Sequence, residues 1–119
     1  MNHYLLPHPT NAPSRDLNRY GIHANKILLQ KLIALGANKK CIAAKIYGGG
    51  NILENISIGK SIGEQNILLA REFLANEGIP LLDSHVGGDA SRRISFQTIG
   101  FMISVTTEKS DKRRQGTRP

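Results

Sequence analysis

The sequence predicts an α+β fold, a layered arrangement of two amphipathic helices packed on a mixed β-sheet. Three observations predict it. Apolar residues recur at helical spacing in two stretches, each ending at a glycine. Each stretch is followed by a short apolar run closed by adjacent glycines. Two further apolar runs close the folded part, with a tight turn at Ile99-Gly100 between them. A chain of 119 residues with 39% hydrophobic content suits one such domain.

The elements follow in order. Residues 2–6 read as a short strand stopped by Pro7, which cannot donate to a ladder. Residues 7–16 contain Pro7, Pro9 and Pro13 with Asn11 and Ser14, and read as a loop. Residues 17–35 read as a helix whose inner stripe is Ala24, Leu28, Leu32 and Leu35, widened by Ile27, with Lys26, Gln30 and Lys31 off it. Gly36 is placed to end it. Residues 41–47 read as a strand stopped by Gly48-Gly49-Gly50, a turn that calls for positive φ or close backbone approach. Residues 51–60 have no clear period and read as a loop.

The second helix has the clearer start. Ser61 with Glu64 three residues later forms a capping box. Ile67, Ala70 and Leu74, with Phe73 beside them, form its inner stripe, and Gly78 is the stop. Residues 79–86, 93–98 and 101–107 read as strands. The succession of helix, glycine, strand and double glycine occurs twice, about forty residues apart. It suggests two similar helix–strand units side by side.

Charge and cysteine usage exclude several classes. The net charge is +7, but much of the excess lies in residues 108–119, where Lys109, Lys112, Arg113, Arg114 and Arg118 face only Glu108 and Asp111. That segment is expected to be a solvated, disordered tail beyond a domain of residues 1–107. Aromatics are 5% with no Trp, so a nucleic-acid face of basic and stacking residues is not expected. The single cysteine, Cys41, excludes an internal disulfide and is expected to be a structural residue of the first core strand. No apolar run reaches membrane-spanning length, no signal peptide is read, and a cytoplasmic protein is expected. His3, His8, His23 and His85 are scattered, without metal-ligand spacing, and no phosphate-cradling or dinucleotide motif occurs. No cofactor is expected.

Six motifs in order carry a resemblance to a known family. They are Met1-Asn2-His3-Tyr4-Leu5-Leu6-Pro7; Arg19-Tyr20 leading a helix that ends in Leu35-Gly36-Ala37; Ala44-Lys45-Ile46-Tyr47-Gly48-Gly49; Ile62-Gly63-Glu64-Gln65-Asn66; Gly78-Ile79-Pro80; and Gly87-Gly88-Asp89 followed by Arg92 and Phe96. Together they resemble the chemoreceptor glutamine deamidases known as CheD. Gln65 stands where the family usually has Arg, and Asp89 where Asn is usual.

The resemblance implies a CheD-like cysteine hydrolase fold and a reaction. Glutamines of methyl-accepting chemotaxis proteins are converted to glutamate with release of ammonia. A thiolate attacks the amide carbon, ammonia leaves, and water hydrolyses the thioester. The family's catalytic histidine falls on His3, and an imidazole suits both proton steps because it titrates near neutrality. The family's cysteine and an accompanying threonine stand upstream of this histidine. The chain as given, beginning at Met1, is therefore expected to hold His3 without its nucleophile and to be inactive, marginally folded or self-associating alone. The resemblance also implies a CheC-type phosphatase as a partner. A catalytically dead binding module for that phosphatase or for receptors is the alternative reading.

Overall fold

A computed structural model describes residues 1–10, 15–50 and 61–109. Within them the fold is α+β. Helix α1 spans Gly21–Ala34 and α2 spans Ile62–Glu77. Strands are β1 Ala44–Gly48, β2 Leu81–Val86, β3 Ala90–Gln97 and β4 Met102–Lys109.

Parallel and antiparallel pairing both occur, divided between two two-stranded sheets among the described residues. Strands β1 and β2 run parallel, with Ile46 opposite Ser84 and Gly48 opposite Val86. Parallel neighbours need a crossover, and α2 supplies it. The doubled helix–strand pattern of the sequence is thus two units whose strands are adjacent and whose helices pack on one another. Strands β3 and β4 form an antiparallel hairpin, from Ala90 opposite Lys109 to Gln97 opposite Met102.

The core lies between the helices and β1. Leu29 of α1, Leu74 of α2 and Ile79 are buried together, with Ile42, Ala44, Ile46 and Phe73 packed against them. Each fully buried aliphatic side chain contributes about 2 kcal/mol. Ala24 and Tyr20 are also buried.

Helix α2 starts with the Ser61 half of the capping box: the Ser61 hydroxyl accepts from the Glu64 N–H at 3.2 Å. It stops at Gly78 in the left-handed conformation, φ 68°. Its inner stripe is confirmed, with Ala70 and Leu74 buried and Ile67 and Phe73 half-buried.

The glycine run after β1 is explained by close approach. A Cβ on Gly63 in the first turn of α2 would lie 2.9 Å from the Gly50 carbonyl oxygen and nearer still to the Gly49 backbone. Gly49 itself has φ 67° and lies under Ile67. The strand-to-helix junction therefore packs backbone on backbone, which no other residue type at 63 permits.

Four expectations need correction. Residues 2–6 do not form a strand; they hold only an isolated parallel bridge between Leu6 and Tyr20. Their hydrogen bonds go to the start of α1 instead. Helix α1 begins at Gly21, because residues Leu17–Arg19 form a separate 3-10 turn capped by the Asp16 side chain. Leu35 is 85% exposed as the C-cap residue, so the inner stripe ends at Leu32. Residues Lys39–Cys41 form another 3-10 turn, and β1 starts only at Ala44.

Strand β4 runs to Lys109, two residues into the segment assigned to the tail. The remainder of the tail, the 51–60 loop, and residues 11–14 of the proline-rich loop lie outside the described residues. No helix among the described residues is long and apolar enough to cross a membrane.

Candidate active site around His3

The first helix lacks a side-chain cap at its N-terminus. Its free N–H groups are satisfied by the chain's own beginning. Gly21 N–H donates to the Leu6 carbonyl at 2.8 Å, and Ile22 N–H to the Pro7 carbonyl at 3.1 Å. In return Leu5 and Leu6 donate to the Arg19 carbonyl at 3.0 and 3.2 Å. Residues 5–7 are thus locked to residues 19–22 through backbone alone. This use of the carbonyls is why the segment does not become a sheet strand.

Just before this lock, side chains alternate between the protein and solvent. Asn2 and Tyr4 are half-buried, and His3 between them is exposed. The Asn2 amide donates to Asn25 Oδ1 on α1 at 3.0 Å. The Tyr4 hydroxyl donates to the Asn66 carbonyl of α2 at 3.0 Å. The Asn66 side-chain amide donates back to the Leu5 carbonyl at 3.0 Å. The Tyr4 ring lies over Gly21, where an added Cβ would come within 2.6 Å of Cε2 and 2.5 Å of Leu69 Cδ2. Burial pushes the Tyr4 hydroxyl above the ordinary tyrosine value of 10.0, with the Asn25 side chain acting in the opposite sense.

His3 therefore projects from a backbone tied to α1 on one side and α2 on the other. Its imidazole makes no hydrogen bond to a described residue, so both ring nitrogens are available.

A second polar cluster joins the two sheets. Arg92 of β3 donates from Nε to His85 Nδ1 at 2.7 Å and from a terminal nitrogen to the Gly48 carbonyl at 3.2 Å. The other terminal nitrogen donates to the Gly87 carbonyl. The arrangement leaves the His85 proton on Nε2. Each of the three guanidinium nitrogens of Arg92 meets the end of β1 or β2, so this group serves as a tie between elements.

Cys41 is not in a core strand. It is exposed in the Lys39–Cys41 turn. The expectation of burial fails because β1 begins three residues later. Among the described residues no group of three His, Cys, Asp or Glu side chains is arranged to hold a metal. Asp89 is exposed in the turn after β2, and Gln65 is half-buried near the start of α2.

Sequence reasoning singled out His3 and missed the device around it. Tyr4 and Asn66 both stood in quoted motifs, yet they are 62 positions apart, and nothing local pairs them.

Comparison with known proteins agrees with the motif reading. The family described as CheD chemotactic sensory transduction matches residues 5–107, a stretch that opens two positions after His3. A protein of Agrobacterium fabrum named "Probable chemoreceptor glutamine deamidase CheD" is 41% identical over 96 residues, covering 81% of this chain and 51% of the relative. Proteins of the same name are 40% identical over 98 residues in Rhizobium leguminosarum bv. trifolii and 39% identical over 99 residues in Laribacter hongkongensis. These cover 81% of this chain, and 52% and 48% of the respective relatives. The chain spans about half the length of the curated relatives it matches. With the family match running over most of its length, the chain belongs to the CheD family.

Proposed function

We propose that this chain carries the histidine of a protein-glutamine deamidase site acting on methyl-accepting chemotaxis receptors, in the cytoplasm. The observation that carries the reading is His3, exposed with both ring nitrogens free on a backbone anchored to α1 and α2. The names of the relatives supply the substrate class.

In this reading a thiol gives its proton to the imidazole and attacks the glutamine side-chain carbon. The imidazolium protonates the departing ammonia, leaving a thioester. The imidazole then takes a proton from water as the water attacks the thioester carbon, the C–S bond breaks to give glutamate, and the imidazolium returns that proton to the released thiolate. No metal or cofactor enters these steps. Cys41 makes no hydrogen bond to His3, and the reading places the nucleophilic thiol on another segment.

The test is mass spectrometry of receptor glutamine peptides incubated with this chain joined to the cysteine-bearing segment of a CheD relative, and with the His3→Ala and Cys41→Ser variants of that fusion. Loss of deamidation in His3→Ala with retention in Cys41→Ser is the expected outcome. Full deamidation by His3→Ala sinks the proposal.

A second reading has its own observation. The tip of the β3–β4 hairpin exposes Ile99, Phe101 and Met102, with Phe96 beside them. An apolar patch of this kind suits a protein contact, so a binding module for receptors or a CheC-type phosphatase is the alternative. Binding that survives His3→Ala and fails on Phe101→Ser favours it.

A further inference from the structure

We infer that Tyr4 and Asn66 are positioning residues for His3, fixing the peptide that follows it to a single residue of α2. The inference rests on the reading of His3 as the acid–base group.

Two hydrogen bonds run in opposite directions between the same two places. Tyr4 Oη donates to the backbone carbonyl of Asn66 at 3.0 Å, and Asn66 Nδ2 donates to the backbone carbonyl of Leu5 at 3.0 Å. One residue of α2 thus supplies an acceptor to the residue after His3 and a donor to the next. The pair cannot slide without losing both bonds. Asn2, on the other side of His3, is held separately to Asn25 of α1 at 3.0 Å. His3 is the exposed residue between these anchors.

The geometry has a clear use. An imidazole that serves a thiol and then a leaving ammonia must stay within about 3 Å of each in turn. A displacement of about 1 Å can cost on the order of 100-fold in rate. The His3 side chain has no hydrogen bond of its own to fix it among the described residues, so its placement depends on the backbone that bears it. The Asn66 amide bond lies at the surface, where water could replace it, so the fold needs it less than His3 does.

The test uses Asn66→Asp, which keeps the shape and replaces the donor by an acceptor, and Tyr4→Phe, which keeps the ring and removes the hydroxyl. Backbone amide nuclear relaxation on the full chain reads the result without needing turnover. The His3 and Tyr4 amides are expected to have order parameters of about 0.85, falling below about 0.6 in both variants, while the Leu5 amide, held to the Arg19 carbonyl, and the last two turns of α2 stay unchanged. A His3 amide equally rigid in both variants overturns the inference.

Deamidation kinetics of the same variants, in the fusion that supplies the nucleophilic thiol, add a second readout. The variants are expected to lose about ten-fold or more in kcat with KM unchanged. Unchanged kcat with a loosened His3 also overturns it. His3→Ala with full turnover removes the acid–base reading itself, an outcome separate from a rigid His3 in Asn66→Asp.

Discussion

Around α1, α2 and β1 the chain buries Ala24, Leu29, Ala70, Leu74 and Ile79, and glycines let backbone meet backbone. The β3–β4 hairpin is built otherwise. None of its described side chains is fully buried, and Ile99 and Phe101 at its tip are 92% and 76% exposed. Among the described residues the Arg92 fork ties it to the rest, reaching His85, Gly48 and Gly87. The first region is held by packing, which is cooperative and intolerant of added volume. The second is held by polar ties, which can break locally without unfolding the core. The His3 segment is attached to the packed region, so the candidate site and the exposed apolar tip sit on parts of different rigidity.

The largest expected effect breaks the packed region. Gly63→Ala forces a methyl group into the Gly49 and Gly50 backbone and is expected to destabilise by about 3 kcal/mol, read as a lowered urea midpoint. Gly100→Ala in the hairpin turn has positive φ but open space around it, and is expected to cost about 1 kcal/mol. Equal losses at the two positions would erase the contrast.

Next is the tie. Arg92→Lys cannot reproduce a fork aimed at three acceptors, and is expected to cost about 1.5 kcal/mol. Hydrogen exchange should show β3 and β4 losing protection while α1 and α2 keep theirs. Loss across all elements would mean that hairpin and core unfold as one unit.

Tyr4→Phe is expected to cost about 1 kcal/mol near neutral pH through the lost bond to Asn66. Its pH dependence is more telling. Burial raises the Tyr4 pKa in the folded state, so its contribution to stability is fully present below the unfolded value of 10.0 and is lost as pH rises through the folded value. Tyr47 is raised too, by burial first and by the Asp83 carboxylate second. Denaturation followed from pH 8 to pH 11 should therefore show a smaller alkaline loss in Tyr4→Phe than in the parent, with the Tyr47 share remaining.

The smallest effect lies at the hairpin tip. Phe101 is the one non-glycine described residue with positive φ, at 53°. Phe101→Gly removes that strain and is expected to stabilise by about 0.5 kcal/mol, the gain being reduced by the added freedom of the unfolded chain. A lower melting temperature would show that the exposed ring contributes to folding after all.

Much of this was legible in the sequence. The Ser61–Glu64 capping box, the Gly78 stop and the Ile67, Ala70 and Leu74 stripe of α2 were readable because each is a relation within a few residues, fixed by helix geometry. The start of α1 was not. Its N–H groups are satisfied by the Leu6 and Pro7 carbonyls, and an apolar pattern carries no signal of which distant backbone serves as a cap. Cys41 was expected inside a strand because its neighbours are apolar, whereas Asn38 caps a turn there and leaves the thiol in solvent.

By itself the sequence determined the α+β class, the order of helices and strands after residue 20 and the doubled helix–strand unit, while its resemblance to CheD singled out His3. Local periodicity and caps specify the elements through covalently near neighbours. The tertiary structure decided that the first residues cap a helix instead of extending a sheet, that the four strands divide into two ladders among the described residues, and that Tyr4 and Asn66 meet across 62 positions to hold the backbone beside His3. Those outcomes depend on which backbone donors and acceptors are left over once the core has packed, and only the folded chain brings them together.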